Sequence, residues 1–222
     1  PVLVDERFEL ARMLRVQTVP NINIVDANGI LRLAGGISLR QPIAPHSSVT
    51  IADYLRDGLA GKGFVTIDQL PPYYPAFELV GKTIFDFSLE DLVSKKRFSL
   101  GEKLEPKKLT LLVFWAVTCP HCQKAMPKVN AYYAEHRDRL NLLSIVKNRD
   151  EEGRRKTVHF ARAHNFRFPV LEDTEQVWEN YRVISTPTFF VITPDGRIES
   201  AFIDTRKGIA AILDPKIEQL LQ

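Results

Sequence analysis

Thr118-Cys119-Pro120-His121-Cys122 follows directly on the apolar run Leu109–Ala116 (Leu-Thr-Leu-Leu-Val-Phe-Trp-Ala). An apolar run of this length reads as a buried strand, and the residues after it carry helical spacing, which predicts a helix over Pro120–His136. Cys119 then sits at a strand-to-helix junction, where the first N–H groups lack intrahelical partners and the dipole favours negative charge. A thiolate is the species such a place stabilises. Pro120 suits the first helical position, which needs no N–H. His121 sets an imidazole beside the sulfurs, and as His⁺ it would favour the Cys119 thiolate. Cys119 is therefore the candidate nucleophile, and Cys122, one turn inward, the resolving thiol. These are the chain's two cysteines. A structural zinc site would need more ligands, because no second C-x-x-C exists and His159 and His164 are spaced off one helix face.

The 222 residues allow one large domain, or one domain and part of another. Apolar residues make up 45% and charged residues 26%, enough to bury an ordinary core. A net charge of +3, with short basic runs such as Lys95-Lys96-Arg97 and Arg154-Arg155-Lys156 dispersed and free of interleaved aromatics, argues against nucleic-acid binding. No apolar run approaches the ~20 residues that span a bilayer. The sequence opens on Pro1 rather than Met, so any signal or anchor is expected upstream.

Self-comparison reveals a repeat. Pro1-Val2-Leu3-Val4-Asp5 parallels Pro169-Val170-Leu171-Glu172-Asp173. Thr18-Val19-Pro20-Asn21 then matches Ser185-Thr186-Pro187-Thr188, and Ile24–Ile30 lies over Val191–Arg197 with glycines 29 and 196 in register. Each copy reads as helix (Arg7–Leu14; Glu175–Tyr181), proline, strand (Ile22–Asp26; Thr188–Thr193), a turn with Asn-Gly or Asp-Gly, and a second strand. A helix over Thr50–Leu59 completes the first copy. Residues 1–68 are thus expected to be a partial, cysteine-free unit. A Pro-rich linker over 69–75 and a complete unit over 76–222 follow. The first copy's front half is expected to lie upstream, to have been removed, or to come from a partner chain. Without it, the first hairpin is left with an open strand edge.

In the second copy, Thr83–Phe87 and Lys96–Leu100 read as entry strands. Leu109–Ala116 is the central strand, Asn141–Lys147 another, Thr157–His164 a helix, and a last helix runs through Ile217–Leu221. This order, with Phe114-Trp115-Ala116 ahead of the C-x-x-C, Pro127 five residues after Cys122 and Thr186-Pro187 before the last hairpin, resembles the thioredoxin superfamily. Within it, the entry strands, the Cys-Gln-Lys-Ala-Met-Pro run and the inserted stretch Arg149–Leu171 look most like the TlpA/ResA-type extracytoplasmic thiol–disulfide oxidoreductases. The resemblance implies an α/β, three-layer thioredoxin-like fold, with a mixed central sheet and helices on both faces, preceded by the back half of a second such unit. It also implies a cis Thr186–Pro187 bond against the cysteines, with Val19–Pro20 matching it in the first copy. Substrate contacts would come from Thr186, Pro187 and Trp115, and thiolate tuning from Pro120 and His121. No cofactor or metal is implied. Partners would be protein thiols and disulfides together with a redox partner, and a membrane tether, if any, would lie outside this stretch.

Three positions depart from the family pattern. Thr118 stands where many relatives have tryptophan, and Val113 and Ala125 replace the two carboxylates that could relay a proton to Cys122. Cys-Pro-His-Cys is also the setting of the strong oxidant DsbA, whereas the branch is associated with reduction. Potentials across such folds run from about −270 to about −120 mV, roughly 7 kcal/mol for two electrons, and the residues leave the direction open. Two other readings are a copper carrier or docking module, using both thiols and His121, and a thiol peroxidase with Thr118 beside Cys119.

Overall fold

The computed structural model describes residues 7–16, 21–44, 47, 49–67, 70, 74–203 and 208–220. It divides into two compact units, Pro1–Tyr73 and Tyr74–Gln222. The expected linker of 69–75 lies mostly outside the described residues, as does Val19–Pro20. Pro75 opens a 3₁₀ turn, Pro75–Leu79, at the start of the second unit. No described helix is long and apolar enough to cross a membrane.

The first unit runs α1 (Glu9–Met13), β1 (Ile22–Val25), β2 (Leu31–Gly36) and α2 (Ile51–Asp57). β1 and β2 form an antiparallel hairpin. The Asp26 carboxylate shapes its turn by accepting the N–H groups of Asn28 and Ile30, and Gly29 supplies the positive φ of 79°. Thr50 and Asp53 cap α2 reciprocally, each side chain accepting the other's backbone N–H. The unit's small core gathers Leu33, Ile51, Tyr54 and Leu70.

The second unit adds β3 (Ser88–Glu90), β4 (Arg97–Ser99), β5 (Leu109–Trp115), α3 (Pro120–Glu135), β6 (Leu140–Val146), α4 (Glu151–Ala163), β7 (Val170–Glu172), α5 (Val177–Asn180), β8 (Thr188–Ile192), β9 (Ile198–Phe202) and α6 (Ile209–Leu220). Its sheet has the order β7-β6-β5-β8-β9. β5 and β6 pair in parallel, and β8 pairs antiparallel to β5. Every residue of β5 and β6 is buried. That explains why the sequence there is an unbroken apolar run rather than an alternation. Side-chain alternation divides β5 between two cores. Leu111, Val113 and Trp115 face α3 and α6 through Met126, Val129 and Leu213, while Leu112 and Phe114 face Tyr181, Leu89 and Leu100. The expected three-layer α/β architecture is what the chain adopts.

The entry segment lies along the outer strands β9 and β7. Gly81 and Ile84 donate to the carbonyls of Ile198 and Gly196 beside β9, and Leu92 donates to Val170 on β7. The Asp91 carboxylate accepts the N–H groups of both Val170 and Ser94 and fixes this second contact. Three expectations need correction. Thr83–Phe87 is not a strand but a loop with a single bridge, Thr83 to Arg197, and the strand is Ser88–Glu90. Asp86 interrupts it by accepting the N–H groups of Phe87 and Gly101. α4 starts at Glu151 rather than Thr157 because Asp150 caps it, accepting Gly153 N–H at 2.7 Å. α6 starts at Ile209 and runs through Pro215.

The two matched stretches share local backbone features. Asp26 N–H to Ile30 O and Gly29 N–H to Asp26 O recur as Thr193 to Arg197 and Gly196 to Thr193, and Gly196 shares the φ of 79°. Upstream, Arg15 and Arg182 hold φ values of 51° and 52°, and Val16 N–H to Ala11 O recurs as Val183 to Trp178. The environments differ. Val25 is 54% exposed, whereas its counterpart Ile192 is fully buried against β5.

Phe114 sits at the centre of a ring cluster with Trp178, Tyr181 and Phe190, its centroid 5.3–5.9 Å from theirs. Replacing it with alanine should destabilise the second unit by about 3–5 kcal/mol, from lost transfer energy and the cavity left behind. Urea unfolding followed by Trp178 fluorescence would read this as a lowered midpoint with an unchanged slope.

Candidate active site

β5 delivers the chain to the site already rigid, because Trp115 pairs with Val146 on β6 and its neighbour Phe114 pairs with Thr188 on β8. The turn Ala116–Thr118 then reverses direction. Cys119 N–H bonds to Ala116 O at 3.1 Å, and Gln123 Nε2 donates to Val117 O at 2.6 Å, pinning the loop to the first turn of α3. Cys119 is the N-cap of that helix, and Pro120 occupies its first position. Its sulfur takes the part that a serine or aspartate oxygen usually plays, accepting the Cys122 N–H at 3.3 Å.

The loop before β8 closes the site from the other side. The Thr186–Pro187 peptide bond is cis, and the Cys119 thiol donates to Thr186 O at 3.4 Å. Thr188 Oγ1 bonds to Ser185 O and steadies that loop. Cys119 is partly exposed and Cys122 fully buried, and both are free thiols. Behind them the wall is apolar: Val113 and Ala125 are buried in the positions expected to lack carboxylates.

The two sulfurs have opposite electrostatics. Burial pushes the Cys119 pKa up, but hydrogen bonding from Cys122 and Thr186 and from the backbone N–H groups of Cys122 and His121 outweighs it, and the net shift is downward. Burial, reinforced by the neighbouring Cys119 sulfur, pushes the Cys122 thiol up to about 12. Cys119 therefore ionises first and Cys122 keeps its proton. The arrangement offers one accessible nucleophile and one withheld thiol a single helical turn away.

Of the residues singled out from the sequence, the structure brings together Cys119, Pro120, Cys122, Thr186 and Pro187. His121 joins them through its main chain, whose N–H lowers the Cys119 pKa, while its side chain is exposed. Trp115 is a correction. It is fully buried, with its ring 5.8 Å from Phe160 and 5.9 Å from Phe166, so it packs the core and offers no surface to a substrate. Two residues escaped sequence reasoning. Gln123 acts on Val117 through a loop contact that no spacing rule encodes. Ile184, two residues before Thr186, is 69% exposed at the rim, and only the repeat's Thr-Pro alignment could have drawn attention to it. Among the described residues no three His, Cys, Asp or Glu side chains converge in a way that could hold a metal ion.

Comparison with known proteins agrees with this geometry. The sequence model of the AhpC/TSA family matches residues 80–201. The thioredoxin-like protein YneN of Bacillus subtilis is 30% identical over 125 residues, 56% of this chain and 72% of the relative. The thiol-disulfide oxidoreductase ResA of Bacillus thuringiensis is 29% identical over 124 residues, 54% of this chain and 66% of the relative. Among solved structures, a candidate thiol:disulfide interchange protein DsbE from Chlorobium tepidum superposes with a TM-score of 0.56 at 21% identity, over 64% of this chain and 98% of that one. With more than half its length matched by the family model, the chain belongs to the AhpC/TSA family, as a TlpA/ResA-like member of the thioredoxin superfamily.

Proposed function

We propose that the chain is a thiol–disulfide oxidoreductase acting on protein substrates through Cys119 and Cys122. The observation that carries this reading is the sulfur of Cys119 capping α3, partly exposed, with the protonated Cys122 buried behind it. The Cys119 thiolate attacks one sulfur of a substrate disulfide. A mixed disulfide forms, and the substrate's other sulfur leaves as a thiolate. Cys122 then gives up its proton and attacks Cys119, closing the Cys119–Cys122 disulfide and releasing the second substrate thiolate. Two electrons pass to the substrate, and its two thiolates take up protons, one of them from Cys122. The reverse sequence oxidises a substrate dithiol, and the partner's potential fixes which way the cycle runs. With Val113 and Ala125 in the wall, the Cys122 proton leaves by water. The open backbone beside Pro187 suits an extended substrate segment laid alongside Thr186 in strand-addition manner. Ile184 at the rim gives that segment an apolar contact.

The first unit fits this function as a cysteine-free copy of the back half of the fold, and its repeated hairpin and helix geometry supports that assignment. It has no thiol and so serves docking or architecture. Likeness to ResA supports an extracytoplasmic setting, where a disulfide exchanger meets oxidised substrates.

Single-turnover reaction with insulin separates the two cysteines. Cys122→Ser should accumulate a mixed disulfide, visible as a mass adduct on Cys119. Cys119→Ser should give no adduct and no turnover, and an adduct on Cys122 in that variant would overturn the assignment. Iodoacetamide at neutral pH should modify Cys119 alone in the folded protein. Its rate should rise through an apparent pKa below the ~8.5 of a free thiol and then level off, because a depressed pKa means the thiolate is already formed at lower pH. Equal labelling of both sulfurs at pH 7 would contradict the Cys122 pKa of about 12.

A further inference from the structure

A cleft of about 500 Å³ opens in the second unit, within the size range of ligand-binding pockets. It lies at the end of the sheet away from the cysteines: it is lined by Asn141 and Leu142 at the start of β6, and β6 runs parallel to β5, whose far end leads to Cys119. Tyr133, which also lines it, stands eleven residues after Cys122 on α3, about 16 Å along the helix at 1.5 Å per residue.

Backbone polarity makes this cleft unusual. Arg139 O accepts from Leu109 on β5, so odd-numbered residues of β6 point their backbone groups toward β5. Ser144 N–H donates to Pro169 O and Val146 O accepts from Asp173, so even-numbered residues point toward β7. β7 pairing begins only at Ser144 opposite Val170. The N–H and C=O of Leu142, a residue only 2% exposed at the floor of the cleft, therefore point away from β5, and among the described residues they find no hydrogen-bond partner. Such a donor and acceptor on a strand edge are what an extended peptide pairs with.

The walls supply charge and apolar contact. Lys103, Arg162 and Arg167 line the cleft, and among the described residues none of them is within salt-bridge distance of a carboxylate. The one acidic lining residue, Asp91, is buried and already accepts two backbone N–H groups. The rings of Phe166 and Phe168 lie tilted with centroids 4.7 Å apart, with Tyr133 edge-on to Phe168, and the Lys103 ammonium lies 5.5 Å from the Phe98 ring centre. The wall is preformed, because Asn130 of α3 accepts Arg167 N–H and donates to the carbonyls of His164 and Asn165.

We propose that this cleft binds an extended, carboxylate-bearing peptide segment of a partner protein, which adds to the free edge of β6 at Leu142. Its backbone pairs with Leu142, one apolar side chain enters between Phe98 and the Phe166–Phe168 wall, and its carboxylates meet Lys103, Arg162 and Arg167. A small anion would satisfy the cations but leave the Leu142 groups unpaired, and for that reason a peptide is the better fit. This site is independent of thiol exchange and would anchor a protein partner while the cysteines stay free.

The test is an NMR titration of the full ¹⁵N-labelled chain with acetyl-Glu-Val-Phe-Glu-Val-Glu-amide, run beside the same peptide with lysine in place of each glutamate. The acidic peptide should saturably shift the Leu142 amide and should bind severalfold more weakly when salt is raised from about 20 to about 300 mM. Arg162→Glu with Arg167→Glu should weaken it at least tenfold while leaving Cys119 alkylation unchanged, so that the outcome is separate from that of the thiol chemistry. Both arginines are exposed, and Arg162→Gln with Arg167→Gln gives a milder second variant with a smaller loss in the same direction. Equal binding of the lysine peptide, an unmoved Leu142 amide, affinity unchanged in both variants, or saturation by 3-phenylpropionate as tight as by the peptide would each overturn the proposal.

Discussion

The hydrogen bond from Cys122 N–H to the sulfur of Cys119 is the interaction around which the second unit is arranged. It exists because a helix must begin where a buried strand ends, and because the residue at that junction carries sulfur rather than oxygen. A helix N-terminus rewards negative charge, so a group that caps it as an anion is held more tightly than one that caps it neutral. The cap thus couples ordinary helix stability to the ionisation of one thiol. Burial of the second sulfur then makes the pair asymmetric, with Cys119 ionising more readily than Cys122.

That geometry holds only if the strand delivering it cannot move. β5 is covered on both faces and paired on both edges, so the position of Cys119 is set by a seven-residue strand with no exposed residue. α3 is fixed at its far end as well, through Tyr132 to Asp214 on α6 at 2.5 Å and through Asn130 to the loop before β7. Cys119 thus lies between the fully buried β5 and the first turn of α3. Thr186 comes from a third strand's entrance, and it is the joint packing of β5 and β8 that brings it within reach of the sulfur.

Much of this was legible in the sequence where one physical signal dominated. The run Leu109–Ala116 could only be a fully covered strand, and Cys119-Pro120-His121-Cys122 could only start a helix. The two Asx-Gly turns located the repeated hairpins. Misreadings arose where two signals competed. Trp115 sits beside the motif and has a ring suited to binding, but full coverage of β5 sends it inward. The front of α4 was missed because Arg154-Arg155-Lys156 read as a solvated basic run, while the cap that starts the helix lies four residues earlier, at Asp150. The cleft beside Leu142 was not legible at all. An unpaired strand edge is a property of what fails to lie next to it, and no residue type marks it.

The entry segment that lies along both outer strands bears on the order of assembly. Its contacts join positions far apart along the polypeptide, such as Asp91 with Val170 and Gly81 with Ile198. Emerging vectorially, Asp91 must wait for Val170 and Gly81 for Ile198, and loop closure over such spans is slow. Throughout that interval the Cys119 sulfur stands without Thr186 and the outer strands stand open. The nascent chain is therefore most vulnerable to stray thiol chemistry and to edge-to-edge association in the moments before its C-terminal third arrives. A holdase or a reducing surrounding at that stage would protect it more than any added stability of the finished fold.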